Sequence, residues 1–293
     1  MIQTPELSRV VAGMWRVKNW NMTRAELCAF IEACVGEGVT SFDHADIYGG
    51  YEAEAFFGDA LALNPSLRAR IQLVSKAGIK LVSAARPEHR IKHYDSSAAH
   101  VRASVERSLR ALKSEYIELY LLHRPDPLMD ADELAREIER LVQEGKVGAF
   151  GVSNFSARDF DALHARIPLA TNQIELSPFH CAPIEDGTLT ALSSAHVSPM
   201  IWSPLGGGRL FDSTDETAAR VRESLQKIQR ERGVESWVSI AYAWIFRLPS
   251  RPLAITGTRH LEGVRDAVRA LDIELTREEW FAIWEAARGQ AVD

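Results

Sequence analysis

The stretch SFDHADIYGGYE, residues 41–52, decides the reading. It leaves an apolar run, GVTSF, and at once places two carboxylates, an imidazole and a phenol between Asp43 and Gly50. Polar surface residues are ordinary, but an apolar run that delivers ionisable groups to one point reads as a buried strand whose C-terminal end carries chemistry. Seven further runs of the same kind are spread along the chain: RVVAGMW, IQLVSKA, YIELYLLH, GAFGVSN, LATNQIEL, PMIWSPL and PLAITGT. Most lack polar alternation, which is the pattern of parallel strands covered on both faces.

Helical periodicity fills the intervals. In TRAELCAFIEACVGEG, Leu27, Phe30, Ile31, Cys34 and Val35 recur at i, i+3, i+4, i+7 and i+8. Thr23 and Glu26 form a capping box there, and Gly36 or Gly38 can end the helix. DADELAREIERLVQEGK repeats the grammar from Asp130 to Gly145, and TREEWFAIWEAARG repeats it from Thr276. The interval from Trp202 to Ile255 is too long for one helix and predicts two, near residues 215–232 and 236–247. No linker or composition break interrupts the series, so the expectation is α/β, a single-domain (β/α)8 TIM barrel over residues 1–293 with extra helical structure after strand 7. Only about eight residues precede RVVAG, so an N-terminal hairpin is short or absent.

Bulk properties narrow the function. A formal charge of -6 with interspersed signs gives no footprint for a nucleic acid backbone. The apolar run VSIAYAWIF is far shorter than the ~20 residues that span a bilayer. No basic, apolar leader opens the sequence, and three cysteines without a CxxC pair fit a reducing compartment, so the expected location is cytoplasmic. Cys28 and Cys34 share one helical pattern and read as packing residues. The expected partner is a small molecule, with no nucleic acid and no membrane, and a monomer is favoured over a homo-oligomer.

A parallel barrel presents every strand C-terminus on one rim, where barrel enzymes build their sites. Asp43 and Tyr48 follow the second strand, Lys76 ends the third, His123 the fourth, Ser153 and Asn154 the fifth, Gln173 lies on the sixth, and Trp202 and Ser203 end the seventh. Lowering a phenol pKa from ~10 to ~7 takes about 4 kcal/mol, and one cation ~4 Å away at an effective dielectric of ~20 supplies about that much. Lys76 is therefore expected to tune Tyr48, with Asp43 holding Lys76 charged and His123 donating a hydrogen bond to a carbonyl oxygen. Such a set protonates or deprotonates an oxygen and contains no nucleophile. Each residue alone has a plainer reading: Asp43 as a helix cap, His44 or Asp46 as loop hydrogen-bonders, Lys76 as a snorkelling lysine, Trp202 as core. Their convergence at one rim favours catalysis.

In order and at compatible spacing, FDHADIYG, LVSKAG, LYLLHRPD, GVSNF, NQIELSPF and WSPLGGGRL resemble the successive signatures of the aldo-keto reductases. LLHRPDP and LDIELTREEW resemble the bacterial YdhF-like oxidoreductase branch in particular. The resemblance implies NADPH-dependent reduction of an aldehyde or ketone to an alcohol by hydride transfer, with Asp43, Tyr48, Lys76 and His123 as the family tetrad and Tyr48 as the acid. It places the nicotinamide carboxamide against Ser153, Asn154 and Gln173, the ring over Trp202, and the pyrophosphate along Ser203, Leu205, Gly206 and Gly207. ITGTRHLEGVRDAVRAL resembles the segment for the adenosine 2'-phosphate, implying contacts from Gly257, Thr258, Arg259 and Arg265. The sequence departs from many relatives there, with Thr256-Gly257 at the strand end and Gly263 where a basic or polar residue is common. Phe179, His180 and Trp20 are further candidates for the pocket wall. No metal is expected, because the later strands end in Asn154, Gln173 and Ser203 and Lys76 would repel a cation.

Overall fold

The computed structural model describes residues 5–292. Ten strands run in chain order as β1 (Val10–Gly13), β2 (Ser41–Asp43), β3 (Gln72–Ala77), β4 (Ile79–Lys80), β5 (His93–Tyr94), β6 (Ile117–Leu122), β7 (Val147–Ser153), β8 (Asn172–Glu175), β9 (Met200–Trp202) and β10 (Leu253–Thr256). All but β4 and β5 close into one parallel barrel in the order β1-β2-β3-β6-β7-β8-β9-β10, with β10 returning to β1 through the pair Val11 and Ile255. The eight apolar runs of the sequence are the eight staves.

Two packed layers explain why those runs do not alternate with polar residues. Val11, Val74, Leu119, Leu121, Ala149, Met200 and Ile255 fill the barrel interior. Their neighbours Val10, Ala12, Leu73, Tyr120, Leu122, Phe150 and Val152 face outward into the larger core beneath the helices. Both faces of each stave are dry, so both must be apolar.

The helices are α1 (Arg24–Gly36), α2 (Ala53–Leu61), α3 (Ala98–Leu112), α4 (Ala131–Gln143), α5 (Ala157–His164), α6 (Ala182–Glu185), α7 (Thr188–Ser194), α8 (Arg209–Asp212), α9 (Glu216–Arg232), α10 (Trp237–Phe246), α11 (Leu261–Arg269) and α12 (Arg277–Arg288). Thr23 and Thr276 close capping boxes with Glu26 and Glu279, and Asp130 accepts from the amides of Asp132 and Glu133. Between β9 and β10 lie the two expected helices, α9 and α10, capped by Asp215 and Ser236 and preceded by a glycine turn and the short α8. Cys28 and Cys34 are buried in α1, and burial pushes the Cys34 thiol up to about 12.

The sequence pattern missed the antiparallel pair β4–β5, an arm between β3 and α3. Two residues per strand, with His93 and Tyr94 exposed, carry no readable period. Of the expected short or absent N-terminal hairpin, residues 1–4 lie outside the described residues, and residues 5–9 form no strand.

Candidate active site

Asp43 and Lys76 end adjacent staves, β2 and β3, and the register brings them to the same rim. Lys76 is wholly buried, and its ammonium donates to both oxygens of Asp43 at 2.7 and 2.8 Å and to the carbonyl of His44 at 2.7 Å. Burial pushes the Lys76 pKa down, and Asp43 opposes that push. Gln173 on β8, 130 residues away in sequence, donates to the same Asp43 at 2.8 Å.

Tyr48 opens a single turn, residues 48–50, in which Gly49, Gly50 and the following Tyr51 all take positive φ. That tight reversal returns the phenol over the barrel mouth. The Lys76 ammonium sits 5.2 Å from the Tyr48 ring centroid, and the His123 ring meets Tyr48 edge-on at 5.9 Å. The four residues expected to act together therefore share one wall. The expected tuning does not hold: the Tyr48 phenol is pushed well above its ordinary value, by burial first and by Asp43 second. Lys76 spends its charge on Asp43 at contact distance, so little of its field is left for the phenol. His123 is pushed well below the usual imidazole value by burial, with Lys76 and Arg124 adding to it, and its Nδ1 is buried without a partner. The ring is neutral at pH 7.

A cavity of about 730 Å³ opens on this rim and runs from Tyr48 and His123 past Asn154 and Trp202 to Gly257 and Gly263. Its middle wall is tied together. Asn154 donates to Ser153 at 2.7 Å and accepts from the Trp202 indole at 3.1 Å, while Ser153 donates to the Gln173 carbonyl at 2.9 Å. Asn154 and Ser203 both hold left-handed backbone, φ 59° and 52°, at the ends of β7 and β9. Strain of about 1–3 kcal/mol at such positions is kept where surrounding structure over-determines it. Gly206, Gly207 and Gly208 also take positive φ; at Gly207 a Cβ would meet only Ser203 Oγ, at 3.7 Å, so the backbone there is open to a close-lying group. Leu205 and Gly207 line the cavity, whereas Gly206 is covered by the Phe179 ring.

At the far end, Gly257 and Thr258 lie on the cavity wall, and nothing stands within 4 Å of a Cβ built on Gly257. Arg259 and Arg265 do not join them. Arg259 donates to the Trp20 carbonyl at 3.0 Å, and Arg265 is held by Glu37 at 2.9 Å and by Glu262 at 3.4 Å. Nor do Trp20, Phe179 and His180 line the pocket. Trp20 is buried edge-on against Phe30, and the first loop instead contributes Trp15 and Arg16.

Sequence reading also missed a buried polar pocket behind Lys76. His44, taken as a loop hydrogen-bonder, is fully buried with neither ring nitrogen partnered, and burial holds its pKa down to about 3. Glu54 on α2 is buried, accepts from Ser75 and from Ser108, and is pushed up by burial, as is Asp46. The available signal was Glu54 on the apolar face of α2, four residues before Gly58. Among the described residues no three His, Cys, Asp or Glu side chains converge as a metal site would need.

The sequence model of the aldo/keto reductase family matches residues 9–288. Oxidoreductase YdhF of Escherichia coli is 49% identical over 292 residues, covering 99% of this chain and 97% of the relative. A 6-dehydroglucose reductase of Agrobacterium fabrum is 43% identical, covering 98% and 96%. A Klebsiella pneumoniae aldo/keto reductase solved with NADP and acetate superposes with a TM-score of 0.77 at 28% identity, covering 94% of this chain and 90% of that one. With an almost complete match in sequence and the same closed parallel barrel, the chain belongs to the aldo/keto reductase family of oxidoreductases.

Proposed function

We propose that the protein reduces an aldehyde or ketone to the alcohol with NADPH, and that Tyr48, Lys76, Asp43 and His123 carry the chemistry. The carrying observation is the shared wall on which the buried Lys76–Asp43 pair lies under the Tyr48 ring and His123 lies at that ring's edge. The cavity fits the cofactor by its extent from Tyr48 to Gly263, by the open backbone at Gly207 and Gly257, and by the polar atoms of Ser153, Asn154 and Gln173 beside the Trp202 ring. Those residues, with Ser203, Leu205 and Thr258, would hold it, while Gly206 stays under the Phe179 ring; Arg259 is the remaining candidate for a phosphate, and Arg265 would have to leave Glu37. When bound, NADPH supplies a hydride to the carbonyl carbon.

The chain's own part is to hold the carbonyl oxygen and to deliver a proton to it. Neutral His123 can donate one hydrogen bond to that oxygen in the tautomer with its proton on Nε2, since Nδ1 is the nitrogen shut away from the cavity. Tyr48 carries the proton. A phenol raised above ~10 still gives its proton to an alkoxide, a base comparable to hydroxide, whose conjugate acid is near 15.7. The elevated pKa therefore keeps the donor loaded across the neutral range without blocking transfer. Lys76 and Asp43 fix the floor beneath the phenol, and Gln173 braces Asp43.

Tyr48→Phe removes the proton and keeps the ring. Reduction of a test aldehyde is expected to fall at least ~10³-fold, within the range of general acid catalysis plus lost oxygen contacts, while NADPH affinity by fluorescence titration stays within about twofold. Turnover within tenfold of the parent would show that another group donates the proton.

A further inference from the structure

The charged side chains on the cavity wall can be accounted for in turn. Asp43 is paired with Lys76, Glu262 with Arg265 and Arg269, and Asp266 with Arg269. Arg16 donates to the Gly207 carbonyl at 3.1 Å and lies over the Trp15 ring. That leaves Arg124. It lines the cavity, is half-buried, and no carboxylate or carbonyl among the described residues accepts from its guanidinium.

Its place in the barrel says which end of the cavity it serves. Arg124 follows His123 at the end of β6, and its charge acts on both Tyr48 and His123. β6 lies four strands from β10 in either direction around the barrel, and three from β9. The open glycine backbone lies after β9 and β10, so Arg124 stands at the reacting end and away from the phosphate end. A guanidinium presents a planar fork that matches a carboxylate with two parallel hydrogen bonds. Arg16, the other wall cation without a carboxylate, bonds the Gly207 carbonyl at the glycine turn after β9, so at the reacting end one fork balances one negative charge, which suits a carboxylate better than a phosphate dianion.

We propose that Arg124 is a substrate-binding residue and that the carbonyl substrate is an aldehyde or ketone bearing a carboxylate. The fork holds the carboxylate while the carbonyl oxygen rests between Tyr48 and His123. Hydride adds to the carbonyl carbon, the phenol proton goes to its oxygen, and the carboxylate passes through unchanged. This rests on the reading of the site as a carbonyl reductase.

The test compares 4-oxobutanoate with its uncharged methyl ester under NADPH. The parent protein is expected to favour the acid by at least about tenfold in kcat/KM, as one charge-assisted pair allows. In Arg124→Gln that ratio is expected to drop to near one, with the loss in the KM for the acid; Arg124→Lys, which keeps the charge but not the fork, should fall between. Equal turnover of acid and ester by the parent, or an equal fall for both in Arg124→Gln, overturns the proposal and leaves Arg124 acting on Tyr48 or on the fold. Butyrate binding to the parent protein, followed by titration calorimetry without cofactor, gives a reading independent of turnover and of the variant's folding. Binding is expected, competitive with the ester, and its absence overturns the proposal. Butyrate binding that needs Arg124 in a protein that reduces neither substrate would sink the reductase reading and leave the carboxylate site standing.

Discussion

At the scale of single residues, the site is built by pairing some groups fully and leaving others unpaired. Lys76 meets three acceptors, yet His44, whose carbonyl is one of them, keeps two bare ring nitrogens against the Phe57 ring at 4.4 Å. A buried polar group without a partner costs on the order of 1–3 kcal/mol, so an apolar side chain of similar size should be tolerated at position 44. The imidazole is neutral when folded, with a pKa of about 3, against ~6.5 when unfolded. Between those values the unfolded chain binds the extra proton, so this contribution is intact above ~6.5 and is lost as pH falls. At pH 4.5 the loss is about 2–3 kcal/mol. His44→Leu is expected to match the parent at pH 7 and to lose about 2 kcal/mol less on going to pH 4.5, measured by urea unfolding at both. An unchanged acid-side loss would mean that His44 finds a partner.

At the scale of elements, the barrel mouth depends on how closely the surrounding helices approach. Gly58 on α2 is where the backbones of α2 and α3 touch: a Cβ there would stand 2.1 Å from the carbonyl oxygen of Ala111 and 2.9 Å from the backbone of Leu112. Neither neighbour is a flexible side-chain end, so Gly58→Ala must push the helices apart. The expected cost is about 2–3 kcal/mol in unfolding free energy, the upper part of the overpacking range. Because Glu54 on α2 and Ser108 on α3 bond across this seam, the shift should also disturb the polar pocket behind Lys76. Equal stability in the alanine variant would show that the seam has slack. The opposite flank is closed by α10 and α12, where Trp244 and Trp280 stack at 5.0 Å and each indole donates to the other's carbonyl. The reciprocal partner of Trp280 on α12 thus comes from another helix, 36 residues away in the chain.

For the whole molecule, buried ionisable groups of opposite sense bound the range of stability. Asp46 and Glu54 are raised by burial, so they contribute stability that is fully present below ~4 and is lost as pH rises toward their folded values. His44 and His123 lose theirs in the other direction, below ~6.5. Above that pH the histidines are neutral in both states, and each carboxyl still protonated in the fold costs up to about 1.4 kcal/mol per pH unit. The carboxyl contribution is therefore expected to fall as pH rises above ~4, and Asp46→Asn to flatten that part of the profile, read by chemical unfolding of parent and variant at each pH; an unchanged slope in the variant would remove Asp46 from the account. The order of eight staves and their helices was legible because period, caps and turn residues act over a few neighbours. The rim residues from Asp43 to Ser203 were legible too, since parallel closure puts every strand end on one side. The β4–β5 arm was not, because two-residue strands have no period. Which polar groups meet was also hidden: Gln173 with Asp43, Arg265 with Glu37, Arg259 with the Trp20 carbonyl, and Arg124 with no carboxylate or carbonyl among the described residues. Sequence by itself determined the architecture and the ring of candidate groups, through local interactions. Only the tertiary structure decided their pairing and protonation, because these depend on dielectric and on neighbours far apart in the chain.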